Sequence, residues 1–297
     1  MERIPVFPEF APLQISHRQA IEGYYKENPP EVSELNFTEM FVWRKQRNTS
    51  LTDCDGNICV CLEKNGTTLF YPPLGKADKA AIVKKILGQA GPDTAFYGFT
   101  ENEAQELSGA GFSVKSDPDN ADYVYRSEDL IKLAGRKYDG KRNHLKKFLE
   151  NYEFKFVEIT PELIPELISF QRAWCEARAC EDDLSLMHES RAVMEALENY
   201  PSLGVIGAAV LVKGKVQAFT IASELNADTA VVLFEKANPE YRGIYQFINR
   251  EFCEKALSKY AWINREQDAG DPGLRRAKQS YNPARMVEKY IIRSGFK

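Results

Sequence analysis

The chain predicts an α/β architecture of two successive units, on three observations. Apolar residues recur with helical spacing in some segments and with strand alternation in others, and the two patterns alternate along the chain. A length of 297 residues exceeds one small core and suits two domains of roughly 100–200 residues each. The composition, 43% hydrophobic and 28% charged, is that of a globular protein, and aromatics spread along the chain at 11% exclude a disordered one.

The boundary is expected near residue 130, giving units 1–130 and 131–297. In the first, Thr38 is placed to cap a short aromatic helix with Phe41 and Trp43. Strands around Ile58–Glu63 and Thr67–Tyr71 read as a hairpin closed by Asn65-Gly66. Asp78 caps a helix that puts Ile82, Val83, Ile86 and Leu87 on one face. Ala95–Phe99 reads as a strand, Glu101–Ser108 as a helix, and Phe112–Lys115 and Tyr123–Tyr125 as strands.

The second unit carries stronger signals. Residues 141–152 form an amphipathic helix with Leu145, Phe148, Leu149 and Tyr152 inward, and Phe154–Ile159 is a strand. Thr160-Pro161 opens a helix through Leu163, Leu167, Phe170 and Trp174, and a further helix runs from about Ser185 to Tyr200. Three strands follow: Gly204–Val212, Val216–Ser223 and Thr229–Glu235. A helix from about Gly243 to Tyr260, strand Ala261–Asn264, a short helix from Pro272 and a strand near Tyr290–Ile292 complete the chain. That order is the layout of an acetyltransferase-type (GNAT) unit. The first part reads as a degenerate copy, so the expected fold is a tandem GNAT with mixed central sheets.

Charge narrows the function classes. Residues 1–130 hold 13 basic against 20 acidic side chains, and residues 131–297 hold 26 against 23. An overall net charge of −4 argues against indiscriminate coating of nucleic acid. The second unit still has room for a local basic site, because seven of its cations fall between Lys132 and Lys147, against one acid, Asp139. The longest apolar run, Leu203–Val212, is about half of a membrane span. Met1 leads into Glu2 and prolines, not an export signal, so a cytoplasmic protein without an integral membrane segment is expected. The six cysteines show neither CxxC pairing nor histidine partners. They read as free thiols, with no metal site.

Three motifs sit at strand ends. Asn238-Pro239-Glu240-Tyr241-Arg242-Gly243 follows the third meander strand, where GNAT enzymes cradle the pyrophosphate of coenzyme A on backbone N–H groups. Arg242 and Gly243 match the start of that loop, but Tyr245 and Phe247 stand where small residues belong. Acetyl-CoA is therefore the weaker donor. Asn264 to Tyr281 puts five polar residues directly after a buried strand, the usual ligand position in α/β folds. Arg136-Lys137-Tyr138-Asp139-Gly140-Lys141-Arg142-Asn143-His144 is a basic turn entering a helix and suits a phosphate-rich ligand. His144 reads as structural.

On Asp122-Tyr123-Val124-Tyr125, Gly140 to His144, Phe234-Glu235-Lys236-Ala237-Asn238 and above all Asn264 to Tyr281, the chain resembles the soluble C-terminal domain of bacterial phosphatidylglycerol lysyltransferases, from about Asn36 onward. It is most similar to stand-alone members, with no transmembrane domain preceding the unit. The resemblance implies a tandem GNAT fold and kinship with aminoacyl-tRNA-dependent transferases, including the Fem-type enzymes. It therefore implies an acyltransferase that moves an aminoacyl group from tRNA to an amine or hydroxyl acceptor, which is a small molecule, a peptide or a lipid headgroup. On this reading Glu235 binds the donor's α-ammonium or acts as base, with Glu266 and Asp268 as rivals. Arg242 or Arg275 neutralises phosphate or oxyanion. Lys141, Arg142 and Lys278 hold the tRNA 3′ end beside Asn143 and Asn264, and Tyr281 or Tyr245 stacks on a base. A CoA-dependent N-acyltransferase and a non-catalytic protein binding RNA or an anion are the alternatives.

Overall fold

The computed structural model describes residues 3–64 and 66–295. It divides into two compact units, one running up to Asp122 and resuming at Val287, the other spanning Tyr123–Met286.

The first unit contains β1 (Ala11–Pro12), α1 (Arg18–Glu27), α2 (Phe37–Val42), β2 (Ser50–Cys54), β3 (Asn57–Lys64), β4 (Thr67–Phe70), α3 (Lys79–Gln89), β5 (Thr94–Phe99), α4 (Glu101–Gly109) and β6 (Ser113–Ser116). Its sheet runs β1-β2-β3-β4-β5, then a late strand and β6. β3 and β4 form the expected hairpin, Lys64 opposite Thr67. Of its turn, Gly66 takes a left-handed φ of 76°, while Asn65 lies outside the described residues. Asp78 caps α3 through the Ala80 N–H. At α2 the cap is Asn36, not Thr38. The Asn36 side-chain oxygen Oδ1 accepts from the N–H groups of Thr38 and Glu39, which places Thr38 inside the first turn.

The second unit contains β7 (Asp122–Arg126), α5 (Ser127–Lys132), α6 (Asp139–Asn151), β8 (Phe154–Glu158), α7 (Ile164–Ala177), α8 (Leu184–Glu198), α9 (Tyr200–Leu203), β9 (Ile206–Val212), β10 (Lys215–Asn226), β11 (Thr229–Ala237), α10 (Ile244–Lys255), β12 (Trp262–Asn264), α11 (Pro272–Gln279) and β13 (Arg285–Val287). Its sheet order is β13-β7-β12-β11-β10-β9-β8. The meander β9–β10–β11 is antiparallel, and β12 then runs parallel to β11. Ala218 and Phe219 are successive in β10 and so face opposite sides. Ala218 packs with Phe148 of α6 and Phe247 of α10, whereas Phe219 meets Phe170 of α7. The sheet is therefore covered by α6 and α10 on one face and by α7 on the other. Leu149, expected inward, is 48% exposed, because Phe148 takes the inward position of that turn.

The last strand, β14 (Tyr290–Arg293), returns to the first unit and pairs antiparallel with both β5 and β6. The cysteine expectation needs correction at two positions. Cys175 and Cys180 form a disulfide. The last turn of α7 and the left-handed Ala179 bring their Cα atoms to 5.2 Å, within bridging range. The other four cysteines are free thiols. No helix among the described residues is long and apolar enough to cross a membrane.

Candidate functional site

The parallel pairing of β11 with β12 covers only Thr229–Val231 against Trp262–Asn264. β11 then continues to Ala237 without that neighbour, and the chain after Asn264 diverges from it. The two strands part at their carboxyl ends, and the crevice between such ends is where α/β sheets commonly bind ligands. A bulge in the β10–β11 ladder, between Ile221 and Ala222, leaves Leu233 unpaired two residues before Glu235. Such bulges re-aim side chains beside functional sites.

Glu235 faces Arg265, whose Nη2 donates to Oε1 at 3.1 Å. Both side chains are largely buried, at 12% and 15% exposure. Burial works against the arginine's charge, but the Glu235 carboxylate outweighs it and holds the guanidinium firmly protonated. Asn249 of α10 donates from Nδ2 to Glu235 Oε2 at 3.4 Å. Tyr281 forms the next layer, with the Arg265 guanidinium 5.1 Å from its ring centre and the Lys141 ammonium 3.9 Å from it. Lys141 also donates to Ser280 Oγ at 2.6 Å. Burial, and then the Arg265 charge, lower the Lys141 pKa to about 8, with Glu235 opposing. Cys253 is the nearby thiol, and burial pushes it up to about 12. It stays protonated at neutral pH and is no nucleophile.

The segment Asn264 to Tyr281 is folded around Asp268. Arg275 grips that carboxylate in a fork, Nε to Oδ2 at 2.8 Å and Nη2 to Oδ1 at 2.9 Å. Tyr123 donates its hydroxyl to Oδ2 at 2.6 Å, and the Gly270 N–H donates to Oδ1 at 2.9 Å. These donors, Arg275 first, hold the Asp268 carboxyl far below its ordinary value. Four bonds leave it little capacity to take a proton, so its geometry suits the organiser of the loop. Lys278 donates to the carbonyls of Arg265 and Gln267 and Asn264 Oδ1 accepts from the Glu266 N–H, while Glu266 adopts a left-handed φ of 56°. Asn264, Glu266, Asp268, Arg275 and Lys278 thus shape the backbone that presents Arg265.

The other candidates divide. Lys141 reaches the crevice, and Tyr281 is buried beneath it. Arg142 instead donates to the carbonyls of Leu133 and Gly135 and pairs with Asp139, which ties down the basic turn. Asn143, His144 and Arg242 are exposed. Gly243 is closed off: a Cβ there would lie 2.1 Å from the His144 carbonyl oxygen, so α6 occupies the space before the α10 N-terminus. Phe247 is core, 4.8 Å from Phe148 and 4.4 Å from Phe154 between ring centres. Tyr245 donates to the Ala237 carbonyl at 3.2 Å. Gly243 thus packs directly against α6, at the place where the sequence comparison with GNAT enzymes would put a pyrophosphate cradle. A separate cleft of about 630 Å³ lies along α7, between Phe170, Trp174 and the Asn238–Glu240 loop.

Sequence reasoning misses Arg265 and Asn249. Arg265 is one charge in a polar run, and its one sequence signal is its place directly after the buried Asn264. Asn249 is a polar residue on the buried face of an amphipathic helix, a mismatch visible in the periodicity. Also missed is an ionic cluster in the first unit. Lys289, wholly buried, bonds Glu34 and, at 2.6 Å, Asp122. Ser33 donates to both carboxylates, and Tyr97 donates to Glu34 at 3.0 Å.

The family described as "Phosphatidylglycerol lysyltransferase, C-terminal" matches residues 26–293. Among solved structures, a conserved protein of unknown function from Bacteroides thetaiotaomicron is 30% identical, with a TM-score of 0.88 over 95% of this chain and 98% of that one. L-PGS from Bacillus licheniformis shares the fold at 13% identity and a TM-score of 0.65, covering 100% of this chain and 95% of that one. FemX does so at 10% identity and a TM-score of 0.58, over 96% and 97%. An uncharacterised protein of Mycoplasmoides gallisepticum is 24% identical over 177 residues, 59% of this chain and only 56% of that protein.

Proposed function

This chain belongs to the phosphatidylglycerol lysyltransferase C-terminal family, and on that premise we propose that its second unit transfers an aminoacyl group from aminoacyl-tRNA to an amine or hydroxyl acceptor. Its family and its tandem GNAT fold are those of acyltransferases of the aminoacyl-tRNA or GNAT type. The observation that carries the finer reading is the buried Glu235–Arg265 pair, faced by Lys141, beside a loop where Gly243 packs against α6 and Phe247 lies in the core.

An aminoacyl ester is already activated, so positioning, one proton transfer and an oxyanion partner suffice. The acceptor's nitrogen or oxygen attacks the ester carbonyl carbon and gives its proton to neutral Lys141. A pKa of about 8 suits a base working near neutrality. Arg265 supports the charge that gathers on the carbonyl oxygen. The bond to the ribose oxygen then breaks, and Lys141 returns the proton to that leaving hydroxyl. Glu235 holds the donor's amino group and keeps Arg265 in place. The exposed cations Arg136, Lys146 and Lys147 offer contacts for tRNA phosphates.

The test is transfer from radiolabelled bulk aminoacyl-tRNA to a panel of primary amines, alcohols and phosphatidylglycerol vesicles. Label moving to at least one acceptor with the wild type, and lost with Glu235→Gln, supports the reading. Ester loss no faster than in buffer, with every acceptor, contradicts it.

A further inference from the structure

Two buried polar atoms beside Glu235 have no hydrogen-bond partner among the described residues: the Thr220 hydroxyl, which can accept as well as donate, and the acceptor Asn249 Oδ1. The two residues are 0% and 2% exposed. They converge on one carboxylate. Thr220 stands directly opposite Glu235 in the antiparallel β10–β11 pair, so both side chains leave the same face of the sheet, about 5 Å apart at Cβ. Across β9, Thr220 is opposite Ala208, a residue too small to fill the space. Asn249 reaches in from α10, and its amide nitrogen touches Glu235 Oε2 through a long 3.4 Å bond. Arg265 takes Oε1, so Oε2 is the oxygen with capacity left.

Buried polar atoms in folded proteins nearly always have partners. An orphan hydroxyl and an orphan amide oxygen, both able to accept beside a carboxylate, therefore mark the place of an absent donor. We infer that Thr220, Asn249 and Glu235 form a subsite for an amino group, so that the donor must carry its α-amino group unblocked. The inference rests on the transfer reading and narrows its substrate to aminoacyl esters with a free amine. An amine or ammonium supplies two or three N–H donors to acceptors from β10, β11 and α10. A hydroxyl supplies one, and a phosphate supplies none and meets the Glu235 charge. Because Arg265 already offsets that charge, a neutral amine is held as well as an ammonium. An N-acylated donor loses a donor hydrogen and brings bulk against two almost wholly buried side chains.

The experiment is filter retention of three probes: bulk aminoacyl-tRNA, the same preparation N-acetylated with acetic anhydride, and deacylated tRNA. The proteins are wild type, Thr220→Val, Asn249→Leu and Thr220→Ser. Wild type is expected to hold the free-amine form about ten-fold tighter than the N-acetylated one. Thr220→Val and Asn249→Leu should lose that ratio while holding deacylated tRNA as before. The Thr220→Val thermal midpoint should not fall, since it removes a polar atom that lacks a partner among the described residues, whereas Asn249→Leu also gives up the long bond to Glu235 and should fall slightly. Thr220→Ser keeps a hydroxyl and should keep the ratio. Equal retention of free and N-acetylated forms by wild type overturns the subsite while leaving the transfer reading in place. Ratios unchanged in both Thr220→Val and Asn249→Leu overturn it as well, leaving those acceptors to water. Retention of none of the probes at low salt overturns the transfer reading itself.

Discussion

Each unit buries a polar cluster, and the two are finished differently. In the first, all four carboxylate oxygens of Glu34 and Asp122 receive donors from Lys289, Ser33 or Tyr97. In the second, Glu235 and Arg265 pair in a crevice, a lysine with a lowered pKa stands nearby, and beside them Thr220 Oγ1 and Asn249 Oδ1 have no partner among the described residues. A closed ionic cluster of the first kind confers uniqueness on a core and offers a ligand nothing. A cluster with capacity left over is stable only because the surrounding fold tolerates the cost, and it is where binding chemistry is expected.

The largest effect is expected from Lys289→Met. It leaves two buried carboxylates without their cation and should cost about 3–5 kcal/mol, read from urea midpoints. A loss below about 1 kcal/mol would mean the cluster is not the closed structural element described. Next is Glu39, beside that cluster, whose carboxyl burial chiefly pushes up to about 7 while Arg47 opposes. A raised carboxyl pKa favours the protonated folded form, so its full stability holds below the ordinary value of 4.5 and is lost as pH rises through 7. Glu39→Gln should remove roughly 2–3 kcal/mol of that loss, raising the melting midpoint at pH 8 far more than at pH 5. Equal shifts at both pH values would contradict it.

Smaller effects belong to the second unit. Asp268→Ala removes the centre of the loop, but Arg275 is 39% exposed and can hydrate, so the cost should be about 1–2 kcal/mol. Loosening of the 265–281 segment should appear as faster amide exchange there. Lys141→Met should change stability by less than about 0.5 kcal/mol. In the wild type, competitive amine labelling should place the Lys141 midpoint near pH 8; a midpoint above 10 would remove it as a base. Acetyl-CoA should produce no thermal shift, since binding to the folded state alone must raise it and Gly243 packs against α6 where the cradle would lie.

Most of the fold was legible because it is written in local periodicity. The meander, the α3 cap at Asp78 and the β3–β4 hairpin each rest on a few neighbouring residues. What stayed hidden is non-local. Nothing in Tyr290–Arg293 announces that it pairs with β5 and β6, and Cys175 and Cys180 look unpaired until α7 ends in a left-handed residue between them. The Asn36 cap at α2 was missed by two residues, since Asn36 and Thr38 are both cap-forming residue types, although Asn is the stronger of the two. In the site, Glu235 and the Asn264–Tyr281 run stood out as polar residues at the ends of apolar strands. Thr220 did not, because a threonine in a strand is ordinary until its hydroxyl is found without a partner.

The most direct test of the central claim is retention of charged against deacylated bulk tRNA by the wild-type protein across a salt series. Tighter retention of the charged form, weakening steeply as salt rises and equalised by Glu235→Gln, is the predicted result. Equal retention of both forms by the wild type, or none at low salt, would contradict the account of the second unit as an open aminoacyl site.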